Sequence, residues 1–111
     1  LETCLKGKEL RIDGDERSER LKELGCIRLD IKFFQTLWED KVLIPEVWKE
    51  KINGRTLFIF FEGTELCNPD GRSYYMCLFW SGIQWRWSYA GCSGSRGFND
   101  PSAVLLLSCA V

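Results

Sequence analysis

From Ser73 to Ala90 aromatic and other apolar residues recur at every second position on either side of one Ser81-Gly82 dipeptide. A period of two is the signature of a strand, and a two-residue turn containing glycine joins antiparallel neighbours. The spacing predicts a hairpin over 73–90 with Trp80 opposite Ile83, Leu78 opposite Trp85, Met76 opposite Trp87 and Tyr74 opposite Tyr89, all on one face. The other face pairs Phe79 with Gln84, Cys77 with Arg86 and Tyr75 with Ser88. A slip of one residue would exchange the two faces, so an amphipathic pattern constrains the pairing strongly.

The rest of the chain is read outward from that hairpin. Thr56–Phe61 is a β-branched and aromatic run closed by Glu62-Gly63-Thr64, expected as a buried strand. Asn68-Pro69-Asp70-Gly71 then supplies a turn. Twelve of the sixteen acidic residues precede position 55, which predicts a solvated helical surface there. Helices are expected near 15–24, with Leu21 and Leu24 as its only apolar contacts and the element therefore superficial; over 31–38, capped by Asp30; and over 44–51, with Pro45 in the first turn and Asn53-Gly54 as the stop. Segment 90–99, rich in glycine and serine, reads as a mobile loop. Asp100-Pro101-Ser102 opens a terminal apolar segment, 101–111, that suits a strand or a helix equally. The expected fold class is α+β: a single domain over 1–111, with about three N-terminal helices in a helical half (1–54) packed on a C-terminal antiparallel β-sheet, a meander that includes the hairpin, in a β-rich half (55–111).

Charge argues against two classes of partner. Fifteen basic residues balance sixteen acidic ones for a net charge of −1, with no block of like charges to track a phosphate backbone, so no strong nucleic-acid signal is present. No apolar run approaches the roughly 20 residues of a membrane-spanning helix, and no membrane association is expected. No signal-peptide pattern is visible at Leu1-Glu2-Thr3-Cys4; a cytoplasmic setting is favoured and secretion stays open.

Six cysteines (Cys4, Cys26, Cys67, Cys77, Cys92 and Cys109) are scattered at spacings of ten residues or more, and histidine is absent. Zinc ligands normally come in close pairs, so buried reduced thiols are the simpler reading, and no metal or other cofactor is expected. Without histidine, catalysis near neutral pH would fall to carboxylates, lysine or tyrosine. Glu62, Glu65, Asp70 and Asp100 are the candidates for a histidine-free enzyme, but acids in turns usually serve as caps, and no phosphate loop, nucleophile elbow or dinucleotide fingerprint appears. The chain is expected not to be an enzyme.

The order Ile44-Pro45-Glu46-x-Trp48-Lys49-Glu50-Lys51, Phe60-Phe61-Glu62-Gly63-Thr64, Pro69-Asp70-Gly71-Arg72, Leu78-x-Trp80-x-Gly82-x-x-Trp85-x-Trp87 and Asp100-Pro101-Ser102-Ala103-Val104-Leu105 resembles that of a set of short, uncharacterised bacterial proteins, over residues 16–108. That resemblance implies a bacterial interior and brings no activity. The cysteines, notably Cys67, Cys77 and Cys92, depart from the pattern.

Two surfaces remain as candidate sites. If the aromatic face is core for the helices, binding falls to the opposite face, where Tyr75, Phe79, Gln84 and Arg86, with Ser88, mix aromatic and polar groups suited to a protein partner. If it is exposed instead, Trp80, Trp85, Trp87 and Tyr89, with Tyr74, form an aromatic platform for sugar rings, as in a carbohydrate-binding module. A small interaction domain is the first expectation, meeting its partner through the outer face or the 91–99 loop. The sheet edge near Thr56–Phe61 suits equally pairing with a second copy in a homo-oligomer, being left free, or cover by the terminal segment.

Overall fold

The computed structural model describes residues 1–106; the rest of the terminal apolar segment, 107–111 with Cys109, lies outside the described residues. The element order is β1 (Arg11–Asp13), α1 (Gly14–Glu23), β2 (Cys26–Arg28), α2 (Ile31–Glu39), β3 (Ile59–Cys67), β4 (Ser73–Trp80), β5 (Trp85–Gly91), β6 (Ser95–Gly97) and β7 (Val104–Leu106). Two single-turn 3₁₀ segments, Lys41–Leu43 and Glu46–Lys49, lie between α2 and β3.

This corrects the expected three helices on one C-terminal sheet. The described residues hold two α-helices and three small antiparallel sheets: β3-β4-β5, β1-β6 and β2-β7. The last two each join the N-terminal half to the C-terminal half, so strands are not confined to positions after 54. The third expected helix shrinks to one 3₁₀ turn: Ile44 before it enters the core, Trp48 packs edge-on to Phe61 at 6.4 Å and the Lys49 ammonium lies over the Trp80 ring at 4.3 Å, while Val47 stays exposed. These contacts fall on a short stretch and leave no continuous apolar stripe for two helical turns, so only a single turn is ordered. The 90–99 loop contains β6, whose Arg96 is buried and donates to the Gly91 carbonyl at 2.7 Å.

α2 forms where local signals are strongest. The Asp30 carboxylate accepts the Phe33 N–H at 3.0 Å, and the Thr64 hydroxyl accepts the Ile31 N–H at 3.1 Å, so two of the helix's orphan donors are satisfied. Its stripe docks on one face of the central sheet: Phe34 lies edge-on to Phe61 at 5.4 Å and, with Leu37, Ile44, Leu57, Ile59, Leu78, Trp85 and Ala103, builds the main core. Truncating a fully enclosed member such as Leu78 to alanine costs about 2–5 kcal/mol.

The opposite face of that sheet is covered as well. Phe60, Tyr75, Cys77 and Cys92 form a second cluster, and the Phe60 ring lies near two guanidinium carbons, Arg96 at 4.3 Å and Arg17 at 5.8 Å. Arg17 projects from α1, pairs with Glu62 of β3 and donates to the Asp100 carbonyl, and all three of Arg17, Glu62 and Arg96 are buried. α1 therefore occupies the expected residues but is not superficial. Gly14 at its start lets the helix meet the 91–94 turn: a Cβ there would stand 1.8 Å from the Cys92 carbonyl oxygen.

The two edges of the central sheet differ. β3 breaks register with β4 between Phe61 and Leu66, and the bulged Gly63 donates to the Leu29 carbonyl at 2.9 Å. Farther back along the same edge, Phe58 and Phe60 donate to the carbonyls of Asn99 and Pro101 at 2.6 and 2.8 Å, and Ala103 donates back to Phe60 at 2.9 Å. The edge near Thr56–Phe61, which the sequence left open to a second copy, to solvent or to the terminal segment, is closed by the chain's own 99–103 segment. β5, at the other end of the sheet, has β4 as its one neighbour among the described strands.

Candidate functional site

The hairpin turns later than its sequence suggests. Trp80 lies opposite Trp85, Leu78 opposite Trp87, Met76 opposite Tyr89 and Tyr74 opposite Gly91, a shift of two from the expected pairing. The loop spans 81–84 because the Ser81 hydroxyl closes it, donating to the Gln84 carbonyl at 2.8 Å and accepting the Gln84 N–H at 3.2 Å, with Gly82 at φ +96°. A shift of two leaves every side chain on its expected face.

The expected binding set is divided by this arrangement. Tyr75 is 6% exposed and burial pushes its phenol above the ordinary range, while Phe79 is half-buried against Phe58, their ring centroids 5.0 Å apart. Gln84 and Arg86 are exposed, and they line a groove of about 410 Å³ together with Trp85, Trp87 and Trp38. The aromatic platform divides too. Trp85 is buried and Trp80 half-buried, packed edge-on at 5.3 Å, whereas Trp87 and Tyr89 are 51% and 63% exposed. α2 covers the near end of the row and leaves the far end bare. Trp38 was legible only as part of a docking stripe with Phe34; nothing in its i, i+4 spacing tells that its ring also walls a groove beside a strand thirty residues and more away.

That groove runs along the free edge of β5. In an antiparallel ladder, residues alternate between those that bond their neighbour and those whose N–H and C=O point away. The alternation is fixed at both ends here, by Ser81 N–H to the Gln84 carbonyl (3.0 Å) and Cys92 N–H to the Ser73 carbonyl (3.2 Å). It follows that Arg86, Ser88 and Ala90 bond β4, whereas Trp85, Trp87 and Tyr89 direct their backbone groups outward, with no backbone partner among the described residues. The usual guards of an open edge are missing from β5: it carries no proline, no lysine and no bulge, and Arg86 is its one charged residue.

No family model, curated protein or solved structure matches the chain. The loop carboxylates are spread over different surroundings: Glu62 is enclosed beside Arg17, Asp70 is exposed in the 68–71 turn, and Asp100 accepts the Gly97 N–H at 3.0 Å. Of the four, Glu65 joins Glu62 along one polar pocket, which Asp15 and Glu19 of α1 line as well, with Arg28 and Tyr75. Among the described residues no three His, Cys, Asp or Glu side chains gather closely enough to hold a metal ion, and no helix is long and apolar enough to cross a membrane.

Proposed function

We propose that the chain is a non-catalytic protein-interaction domain that receives an extended strand from its partner on the open edge of β5. The observation that carries this reading is the outward-facing backbone of Trp85, Trp87 and Tyr89, unpaired among the described residues, beside a groove walled by Trp38. Strand addition supplies affinity through main-chain hydrogen bonds and specificity through pockets for alternate side chains, and the outward backbone groups of β5 and the groove beside them support that reading. Tryptophan, tyrosine and arginine, the residue types most enriched at interface hot spots, flank that edge.

The test is a proline at an outward position. Trp87→Pro removes an N–H that β4 does not use, so the hairpin survives, but the docking ladder loses a donor. Extended peptides selected against the wild-type domain are expected to shift and protect the amides of Trp85, Trp87 and Tyr89, and to lose binding to Trp87→Pro by more than they lose to Trp87→Ala. Equal losses in the two variants would put binding on the indole alone.

A second reading rests on Trp87 and Tyr89, whose exposed rings share one face with Tyr74, 5.0 Å from Tyr89, and could stack on sugar rings as a carbohydrate-binding module. Soluble glycans that quench or shift tryptophan emission while leaving the β5 amides unprotected would favour it over strand addition.

A further inference from the structure

We infer that the strand β5 takes up is β5 of a second copy, antiparallel to the first and related to it by a two-fold axis through Trp87. This rests on the strand-addition reading and names its partner. Trp85-Arg86-Trp87-Ser88-Tyr89 has the same pattern in both directions, aromatic at the outward-bonding positions and polar between them. A two-fold contact requires such self-complementarity, because the same surface must serve as both halves.

Pairing the two outward sets about Trp87 places Trp87 opposite Trp87 of the second copy and Trp85 opposite its Tyr89, in hydrogen-bonded pairs with all these rings on the aromatic face. Trp87 and Tyr89, 51% and 63% exposed in the single chain, are then covered. Tyr89 of the second copy arrives beside Trp85, at the groove walled by Trp38, and the symmetric groove receives Tyr89 of the first.

Charge selects the same register. Centred on Trp87, each Arg86 faces Ser88 of the other chain. Moving the axis to Arg86 sets two guanidiniums against each other, and moving it to Ser88 pairs Trp85 with Gly91, which loses an aromatic contact. The only charged side chain of the strand is thus left unopposed in one register alone that also keeps every aromatic pair. A net charge of −1 per chain adds little long-range repulsion.

Sedimentation equilibrium from about 1 µM to about 1 mM, a range that covers small, weak interfaces, reads the association directly. The wild-type chain is expected to double its mass within that range and Trp87→Pro to remain single with an unchanged thermal melt. Ser88→Lys, which sets a lysine opposite Arg86 twice per dimer, is expected to weaken association about tenfold. Adding Arg86→Glu to Ser88→Lys turns both contacts into opposite-charge pairs and should restore it. A single chain throughout, with β5 amides that added peptides still protect, overturns the second copy as partner but leaves strand addition standing. A single chain whose β5 amides no peptide protects overturns both the second copy and strand addition. A dimer indifferent to Trp87→Pro and to the charge exchange lies elsewhere on the surface and overturns this inference.

Discussion

Arg17 of α1 and Glu62 of β3 form an ion pair in which neither side chain has accessible surface. The Arg17 Nε and Glu62 Oε2 atoms find no hydrogen-bond partner among the described residues. A buried pair of this kind contributes little net stability, but either charge left alone is expensive. Glu62→Ala is therefore expected to destabilise by about 3–5 kcal/mol in urea unfolding, while Arg17→Met combined with Glu62→Leu should fall close to wild type. A double variant as unstable as the single one would show that the pair organises more than its own charges.

Gly63 is required by a close approach of chains. A Cβ there would stand 2.4 Å from the Arg28 carbonyl oxygen and 2.9 Å from the Asp30 amide nitrogen, both backbone atoms that cannot swing aside. Gly63→Ala should cost about 1–3 kcal/mol or more and loosen the start of α2, read as faster hydrogen exchange at Phe33 and Phe34. Gly71→Ala provides the contrast: open space surrounds its Cβ position, and the penalty there comes from φ +79° alone.

The thiols should separate by reactivity. Burial pushes Cys4, Cys77 and Cys92 up to about 11, whereas Cys67 is exposed. Because the thiolate is the reacting species, alkylation near pH 8 is expected at Cys67 first, with Cys4, Cys77 and Cys92 protected until the chain unfolds. Mass spectrometry of partly alkylated protein gives the order, and early labelling of Cys77 would contradict the two-sided cover of the sheet.

Acid should act on the N-terminal segment. Glu9 is held near pH 2, against an ordinary 4.5, chiefly by hydrogen bonding from the Arg20 guanidinium. A depressed carboxyl favours the folded state above its unfolded pKa, and that contribution disappears as pH falls through the folded one. The segment 4–10 should accordingly loosen between about pH 4.5 and 2. Carboxyl titration by NMR gives the midpoint, and Glu9→Gln should abolish the pH dependence of this segment.

Individual elements, though not their arrangement, could be read from local signals. α2 was legible because Asp30 lies within one turn of the amide it caps, and the faces of the hairpin because a period of two survives any even shift. The turn was not, since the Ser81 hydroxyl replaces a backbone bond that Ser-Gly alone would have suggested. Arg17 and Arg96 escaped because their cover comes from Glu62, Asp100 and Phe60, far away in sequence; a charged residue in a polar segment carries no mark of such partners. The groove was half legible for the same reason: Gln84, Trp85, Arg86 and Trp87 are consecutive, but Trp38 reaches them only through the docking of α2.

The covering of β3 by residues 99–103 has a consequence for assembly. A sheet with two bare sides can add copies without limit, as fibres do, but among the described strands this one leaves only β5 without a second neighbour. Once that strand meets its like, nothing further can be stacked on by the same bonds. On the proposed pairing of β5 with its like, the 99–103 segment is a terminator built into the chain, and cutting its hold on Phe58 and Phe60 would turn that self-limiting association into an open-ended one.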